Sequence, residues 1–335
     1  MNLPLLPIKF AVAVAETALL GVCVWIGLGN DRTAHLKPRP VLVEVEKGQG
    51  VKAIAETLKR EGVLTKMTPF LWRYRAFYGG RNLKAGQYQL QAPSVPRAVI
   101  ETLIQGRVYL RPVTVIEGLT GREIFPVFIG EGFGTLNGFE EAFKAADLIG
   151  LWDPNAPDLE GYLFPETYRL PKGIKAAEIT GKMVDQFKFV FTERLRRRTA
   201  ELGWTVRDAV TLASLIEKET GRAEEKTLVS SVFHNRLRLG MKLDCDPTII
   251  YPLKLAGTYE GRLRSKDLKL DSPYNTYRYP GLPPGPICNP GRDSIEAALF
   301  PAATDFLFFV SRNDGSHQFS RTLREHSQAV NRFQR

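Results

Sequence analysis

The chain has 335 residues, 44% hydrophobic and 24% charged, so it can bury a sizeable core and exceeds one average domain. Its 46 Lys and Arg against 36 Asp and Glu give a formal charge of +10, yet the basic residues are dispersed; nucleic acid is not an expected partner, and phosphate headgroups or an acidic wall polymer suit the excess better. Three cysteines and four scattered histidines give no disulfide framework and no metal-ligand spacing, so no metal or cofactor is expected, and only Cys245 and Cys288 form a candidate pair.

Residues 10–29 are apolar apart from Glu16 and Thr17, and about 20 such residues cross a bilayer's hydrocarbon core. They read as a transmembrane helix behind a short N-terminus, residues 1–9. Lys9 alone precedes the segment while Arg32, Lys37 and Arg39 follow it, so charge by itself orients the remainder toward the cytoplasm. A linker, residues 30–40, leads to a region spanning 41–152. There residues 41–45 alternate as a strand, Gly48 breaks it, and Val51, Ile54, Ala55 and Leu58 recur at helical spacing until Gly62. About 70 residues later the unit recurs, with Val113, Val115, Gly118, Ile124 and Phe128 answering Val43, Val45, Gly48, Ile54 and Leu58. Thr120 and Glu123 spell a capping box for the second helix, which Pro126 is expected to shorten or kink. Between the copies come a strand ending near Leu90 and a helix over 94–106. Strand, glycine turn and short helix resemble LysM-like modules, which bind the glycan strands of peptidoglycan. Residues 132–138, glycine-rich without a phosphate-loop lysine, read as a connection.

The second domain, 153–335, begins where Asp and Pro crowd together in 153–158. Tyr162, Phe164 and Tyr168 then stand near Glu160 and Glu166; aromatic platforms flanked by carboxylates suit a saccharide cleft, and aromatics at this density also build cores. One long amphipathic helix, with Ile179, Met183, Phe187, Val190 and Phe191 inward, is expected to end by Gly203, its basic run 194–198 forming a solvated face. The next helix starts near Thr205 and puts Val206, Val210, Ala213 and Glu217 on one face. A partly desolvated carboxyl at the end of that stripe would keep its proton to higher pH than a surface Glu, as a general acid must. Periodicity does not choose between Glu217 and Glu219. A third helix carries Leu228, Val229, Val232, Phe233 and Leu237 and stops at Gly240. Residues 243–286 gather Asp244, Asp246, Thr248, Asn275, Thr276, Tyr277 and Arg278 among prolines and glycines, the composition of rigid loops that line a ligand, although Asp246-Pro247-Thr248 also spells a helix start. A hairpin of 306–310 and 317–319, turning at Asp314-Gly315, leads to a short helix bearing His326.

Six motifs stand in order: Leu-Glu-Gly-Tyr-Leu-Phe-Pro-Glu-Thr-Tyr (159–168), Ala-Ser-Leu-Ile-Glu-Lys-Glu-Thr (213–220), Val-Phe-His-Asn-Arg-Leu (232–237), Asp-Pro-Thr (246–248), Tyr-Asn-Thr-Tyr (274–277) and Gly-Leu-Pro-Pro-Gly-Pro-Ile (281–287). Together they resemble the endolytic murein transglycosylase family (MltG, YceG-like). The resemblance implies an α+β fold with a single N-terminal transmembrane helix, a LysM-like α/β module, and a mixed helical and β catalytic domain. It also implies that the catalytic domain lies outside the inner membrane, against the charge rule.

The implied substrate is the peptidoglycan glycan strand, cut between N-acetylmuramic acid and N-acetylglucosamine to leave 1,6-anhydro ends and terminate nascent strands, with peptidoglycan synthases as candidate partners. In that family the first Glu of Ile-Glu-Lys-Glu is the catalytic acid, here Glu217; Glu219 becomes its solvated neighbour. One carboxylate suffices for acid and base, because the sugar's own C6 hydroxyl attacks with the high effective concentration of a tethered nucleophile. Asp246, Thr248, Asn275, Tyr277, Tyr162 and Glu166 are the candidate substrate-binding residues. Two other readings remain: a hydrolase pairing Glu217 with Asp244, Asp246 or Glu166, and a non-catalytic peptidoglycan-binding scaffold.

Overall fold

A computed structural model of the protein describes residues 37–334; the apolar segment 10–29 lies outside them. The described residues form twelve α-helices and three two-stranded sheets, and none of these helices is long and apolar enough to cross a membrane. They divide into two compact units, the first reaching Arg111 and including Arg169–Lys172, the second holding Pro112–Tyr168 and everything from Gly173 onward.

In the first unit β1 (Arg39–Val45) is followed by α1 (Val51–Arg60), α2 (Met67–Tyr78), β2 (Gly86–Ala92) and α3 (Pro96–Gln105). β1 and β2 pair antiparallel, with Val43 opposite Tyr88. The alternation of β1 sends Val43 and Val45 into a core with Ile54, Leu58, Phe70, Tyr88, Ile100 and Leu103, while Leu42 and Glu44 point outward. α3 shows both expected boundaries, Pro96 in its first turn and Gly106 in the left-handed conformation at its end. α2 has no counterpart in the expected elements.

The chain continues through β3 (Leu110–Thr114), α4 (Gly121–Gly130), α5 (Leu136–Phe143) and β4 (Thr167–Pro171). The repeat is therefore longer than its sequence signature: strand, helix, helix, strand, twice over. Val113, Val115, Ile124 and Phe128 are buried like their counterparts, and Gly48 and Gly118 share a positive φ, 83° and 78°. α1 and α4 also stop alike. Glu61-Gly62 and Glu131-Gly132 end them, and the next N–H, of Val63 or Phe133, returns to the carbonyl of Leu58 or Phe128 at 2.9 Å. Pro126 does not shorten α4, which has 10 residues, as α1 does. The segment 132–138 is not merely a connection either; Thr135 accepts the Gly138 N–H at 3.2 Å and starts α5.

The contact boundary at Arg111 differs from the sequence reading, which kept the second copy with the first up to residue 152. The reason is local hydrogen bonding. Gly118 N–H donates to the Asn289 carbonyl and Asn289 N–H to the Leu119 carbonyl, each at 2.9 Å, fastening the second copy to the C-terminal part of the chain.

The second unit then supplies α6 (Ala176–Val190), α7 (Glu193–Glu201), α8 (Val206–Glu219), α9 (Ala223–Arg238), α10 (Pro247–Leu255), α11 (Arg292–Leu299), β5 (Phe308–Ser311), β6 (His317–Ser320) and α12 (Leu323–Phe333), the last bearing His326. The single helix expected up to Gly203 is two, because Thr192 turns to extended backbone as the cap of α7 while Phe191 stays buried, stacked 5.5 Å from Phe187. α8 is the hub. Every residue from Ala209 to Ile216 is buried, and the helix packs on α7, α9, α10 and α11.

Gly161, in the 159–168 motif, marks the tightest approach to α8: its φ is +85°, and a Cβ would lie 2.5 Å from Pro286 Cγ and 2.9 Å from Val210 Cγ1. Gly161→Ala therefore combines left-handed strain with overpacking and should cost about 2 kcal/mol or more. Urea unfolding of the variant and wild type checks this; a difference under about 0.5 kcal/mol would mean that the approach is not tight.

Candidate active site

α8 begins with a reciprocal cap. The Thr205 hydroxyl accepts the Asp208 N–H at 3.1 Å, and the Asp208 carboxylate accepts the Thr205 N–H at 2.8 Å. From there the helix runs through the core, and its polar residues appear in its last turn. Glu217, 8% exposed at the side chain, has both oxygens engaged: the ammonium of Lys226 on α9 lies 3.2 Å from Oε1 and 3.3 Å from Oε2, and the Gly291 N–H donates to Oε2 at 2.9 Å. A second carboxylate, Glu117, reaches the same ammonium at 3.7 Å while remaining half-exposed. A Cβ at Gly291 would take the place of the Glu117 carboxyl and displace it. Burial, and after it the charge of Glu217, pushes the Glu117 carboxyl above its ordinary range, with Lys226 opposing. Lys218 donates to the Gly118 carbonyl at 3.1 Å and pins the turn that presents Glu117.

Glu219 is not the solvated neighbour that the resemblance suggested. It leaves α8 toward another partner, accepting the Cys245 thiol at 2.9 Å, and burial pushes its carboxyl up to about 7 against the pull of that hydrogen bond. Burial likewise pushes the Cys245 thiol up, so it stays a donor. Cys245 and Cys288 are both free and buried, Cys288 donating to the Ser214 carbonyl at 3.4 Å.

The Cys245 contact brings Asp246 to the same end of α8. Asp246 is exposed and accepts the Tyr277 hydroxyl at 2.7 Å, so these two residues meet. Thr248 and Asn275 lie beneath them, fully buried. Thr248 donates to the Cys245 carbonyl at 2.6 Å and contacts the Thr276 hydroxyl at 2.9 Å; Asn275 gives its amide to the carbonyls of Leu268 and Leu270 and accepts the Tyr277 N–H. Their polar atoms shape the loop from within. Asp244, at φ 49°, accepts Arg236 at 3.0 Å.

Tyr162 and Glu166 lie elsewhere. Tyr162 is 1% exposed, donates to Asp153 at 2.5 Å and packs edge-on against Phe187; Asp153 also pairs with Arg207 in the first turn of α8, about 15 Å along the helix from Glu217. Glu166 is exposed, its carboxylate accepting the Thr167 N–H.

Sequence reasoning missed Glu117, Lys226, Gly291 and Asn289, and it set Glu160 beside aromatic platforms, whereas Glu160 is buried and paired with Asn289. Lys226 and Glu117 had weak signals, a cation just ahead of the apolar set of α9 and an acid beside the recognised turn glycine Gly118. Glu160 and Asn289 tie three segments together. Asn289 donates to Glu160 and the Leu119 carbonyl, each at 3.0 Å, and accepts the Leu163 N–H at 2.9 Å, while Glu160 accepts the Gly121 N–H at the start of α4. Burial pushes the Glu160 carboxyl from 4.5 up to about 8, against the Gly121 hydrogen bond.

A YceG-like family model matches residues 43–332. Among curated relatives, the endolytic murein transglycosylase of Bacillus subtilis (strain 168) is 32% identical over 310 residues, covering 88% of this chain and 84% of that protein. The endolytic murein transglycosylase of Streptococcus pneumoniae serotype 2 is 28% identical over 327 residues, 87% of this chain and 58% of that longer protein. A crystal structure of a yceG-like protein from Listeria monocytogenes is similar with a TM-score of 0.59 and 30% identity, covering 86% of this chain and 98% of that one.

The raised Glu160 carboxyl makes stability depend on pH in a definite direction. The folded state holds this proton more tightly than the unfolded state, so its contribution is complete below the unfolded value of 4.5 and is lost as pH rises toward about 8. Glu160→Gln has no proton to lose, and its urea midpoint should fall less than that of wild type across this window. Equal slopes would show that Glu160 ionises in the fold without penalty.

Proposed function

The chain belongs to the YceG-like family, and on that premise we propose that it is a membrane-anchored endolytic lytic transglycosylase of peptidoglycan, with Glu217 as acid and then base. The single observation that carries the residue assignment is the held carboxylate at the end of α8, gripped by the Lys226 ammonium and the Gly291 N–H. Those donors are oriented before substrate arrives, and they stabilise the carboxylate left when Glu217 gives its proton to the bridging oxygen. The C1–O bond between N-acetylmuramic acid and N-acetylglucosamine breaks, and positive charge develops at C1. Glu217 then accepts the proton of the C6 hydroxyl as that oxygen bonds to C1, closing a 1,6-anhydro ring. The carboxyl is returned as it began, and no water is consumed.

Asp246 and Tyr277 are the substrate-binding candidates best supported by position, since they join at the α8 end and Asp246 is exposed. For the first unit we propose a LysM-like glycan-binding role, supported by its strand, helix, helix, strand order. Residues 10–29 serve as the anchor in this reading, with the rest of the chain on the periplasmic or outer side, where nascent strands and their synthases would be met. A hydrolase reading has one observation in its favour: Glu117 supplies a second carboxylate at the same ammonium. Product mass separates the two, because the anhydro end is lighter than the hydrolysed end by one water.

Glu217→Gln keeps the shape of the site but cannot donate the proton, and should lower anhydro-muropeptide release from purified peptidoglycan by roughly 10²- to 10⁴-fold. Glu219→Gln, which keeps an acceptor for the Cys245 thiol, should do far less. The reverse order of effects would move the acid to Glu219, whose raised carboxyl also holds a proton near neutrality. For topology, a reporter active only in the cytoplasm and fused after Arg335 should stay silent; a signal from it would overturn the orientation.

A further inference from the structure

The Glu217 carboxyl poses a chemical difficulty for its first task. Its three polar contacts, two from the Lys226 ammonium and one from the Gly291 N–H, suit a carboxylate, whereas the first step needs a protonated acid. Something must draw Lys226 away or offset its charge. The residue placed to do so is Glu117, whose Oε2 is 3.7 Å from the same ammonium. An exposed ion pair at that distance is ordinarily worth little. Here, however, Lys226 is 5% exposed, the backbone of the 117–118 turn is fixed by the Asn289 and Lys218 hydrogen bonds, and Gly291 leaves room for the Glu117 carboxyl that any side chain would fill.

We propose that Glu117 is a positioning residue that competes with Glu217 for the Lys226 ammonium and so frees Glu217 to carry the proton it gives to the leaving oxygen. The assignment rests on the transglycosylase reading of Glu217. When Lys226 leans to Glu117, Glu217 is neutral and ready to donate. As the C1–O bond breaks and the proton moves to the departing oxygen, Lys226 returns to the new carboxylate. When O6 bonds to C1, its proton passes to Glu217 and the ammonium leans back to Glu117. Lys226 stays protonated throughout, so protons balance and no co-reactant is needed.

The charged groups that face Glu117 are Glu217 on α8, Lys226 on α9 and Asp293 on α11. Two acids and one cation therefore share the site and titrate as a unit. Glu117 must lose its own proton for the competition to work, and the half-exposure of its side chain permits this.

The test is the pH–rate profile for release of anhydro ends by the full chain, with each variant first shown to have a cooperative melting transition. The alkaline limb reports loss of the Glu217 proton. Glu117→Gln removes a negative charge, so the limb should move to lower pH by about one unit, with tenfold less activity on that side and the acid-side rate largely kept. Glu117→Asp retains the charge and should bring the limb back toward wild type. Lys226→Gln should move it the opposite way, to higher pH, a sign that general damage to packing does not produce. A Glu117→Gln enzyme with an unmoved limb, or with the same loss at every pH, overturns the assignment while wild-type anhydro product leaves the reaction class standing. Wild type releasing hydrolysed ends overturns the transglycosylase reading, and the assignment with it, because Glu117 would then be a hydrolase's second carboxylate.

Discussion

An ammonium buried as far as that of Lys226 is tolerated only with opposite charge beside it, and this one requirement sets the geometry around the end of α8. Lys226 comes from the first turn of α9, Glu217 from the last turn of α8, and Glu117 from the turn that follows β3. Gly291, the residue before α11, adds its N–H to Glu217 and its missing side chain to Glu117. Two consecutive helices and two segments distant from them in sequence are thereby held to a common point. Their other contacts serve the same end, since Lys218 and Asn289 both anchor the backbone between Gly118 and Leu119.

Much of the fold was legible where short-range rules decide it. The repeat could be read because a buried alternation, a left-handed glycine and an apolar helical face recur in order, and each obeys a local constraint. α2 was missed because Trp72, Arg73, Tyr74 and Arg75 blur its apolar face, and only Phe70 is fully buried. α5 hid behind three glycines, although Thr135 was already a cap. The break between α6 and α7 depends on Phe191 keeping its place in an aromatic stack, which includes Trp152 at 6.1 Å, a tertiary reason that periodicity cannot contain. α10 sits in the stretch 243–286, where composition argued for loops although Asp246-Pro247-Thr248 also spelled its start, and α11 drew no expectation.

The site divides in the same way. Glu217 was legible as the carboxyl ending a buried face, but its partners were not, since Gly291 and Glu117 arrive from far along the chain. Thr248 and Asn275 looked like ligand groups because polar residues in a rigid loop often are; here Thr248 satisfies the buried Cys245 carbonyl and Asn275 the carbonyls of Leu268 and Leu270. The two glutamates of the α8 end also exchange expectations. Glu217 is held as a carboxylate would be, and Glu219, expected in solvent, is the one whose carboxyl is pushed toward neutrality by burial. The group placed to compete with Glu217 for its ammonium is the neighbouring carboxylate of Glu117.

That neighbouring charge has its origin in the duplicated unit. Gly48 and Gly118 make the same turn, with φ of 83° and 78°, after two buried valines and before a helix of 10 residues. The residue before the glycine is Lys47 in the first copy and Glu117 in the second. Lys47 is exposed; in the second unit the same backbone delivers a carboxylate to a buried ammonium. The left-handed glycine makes this possible, because it reverses the chain immediately after Glu117 and lets Gly118 approach within 3.5 Å of the Glu217 side chain, measured from where a Cβ would stand. A side chain at residue 118 would be strained by the positive φ although its Cβ would meet Glu217 only in ordinary contact, so it is the left-handed turn itself that carries Glu117 to the ammonium.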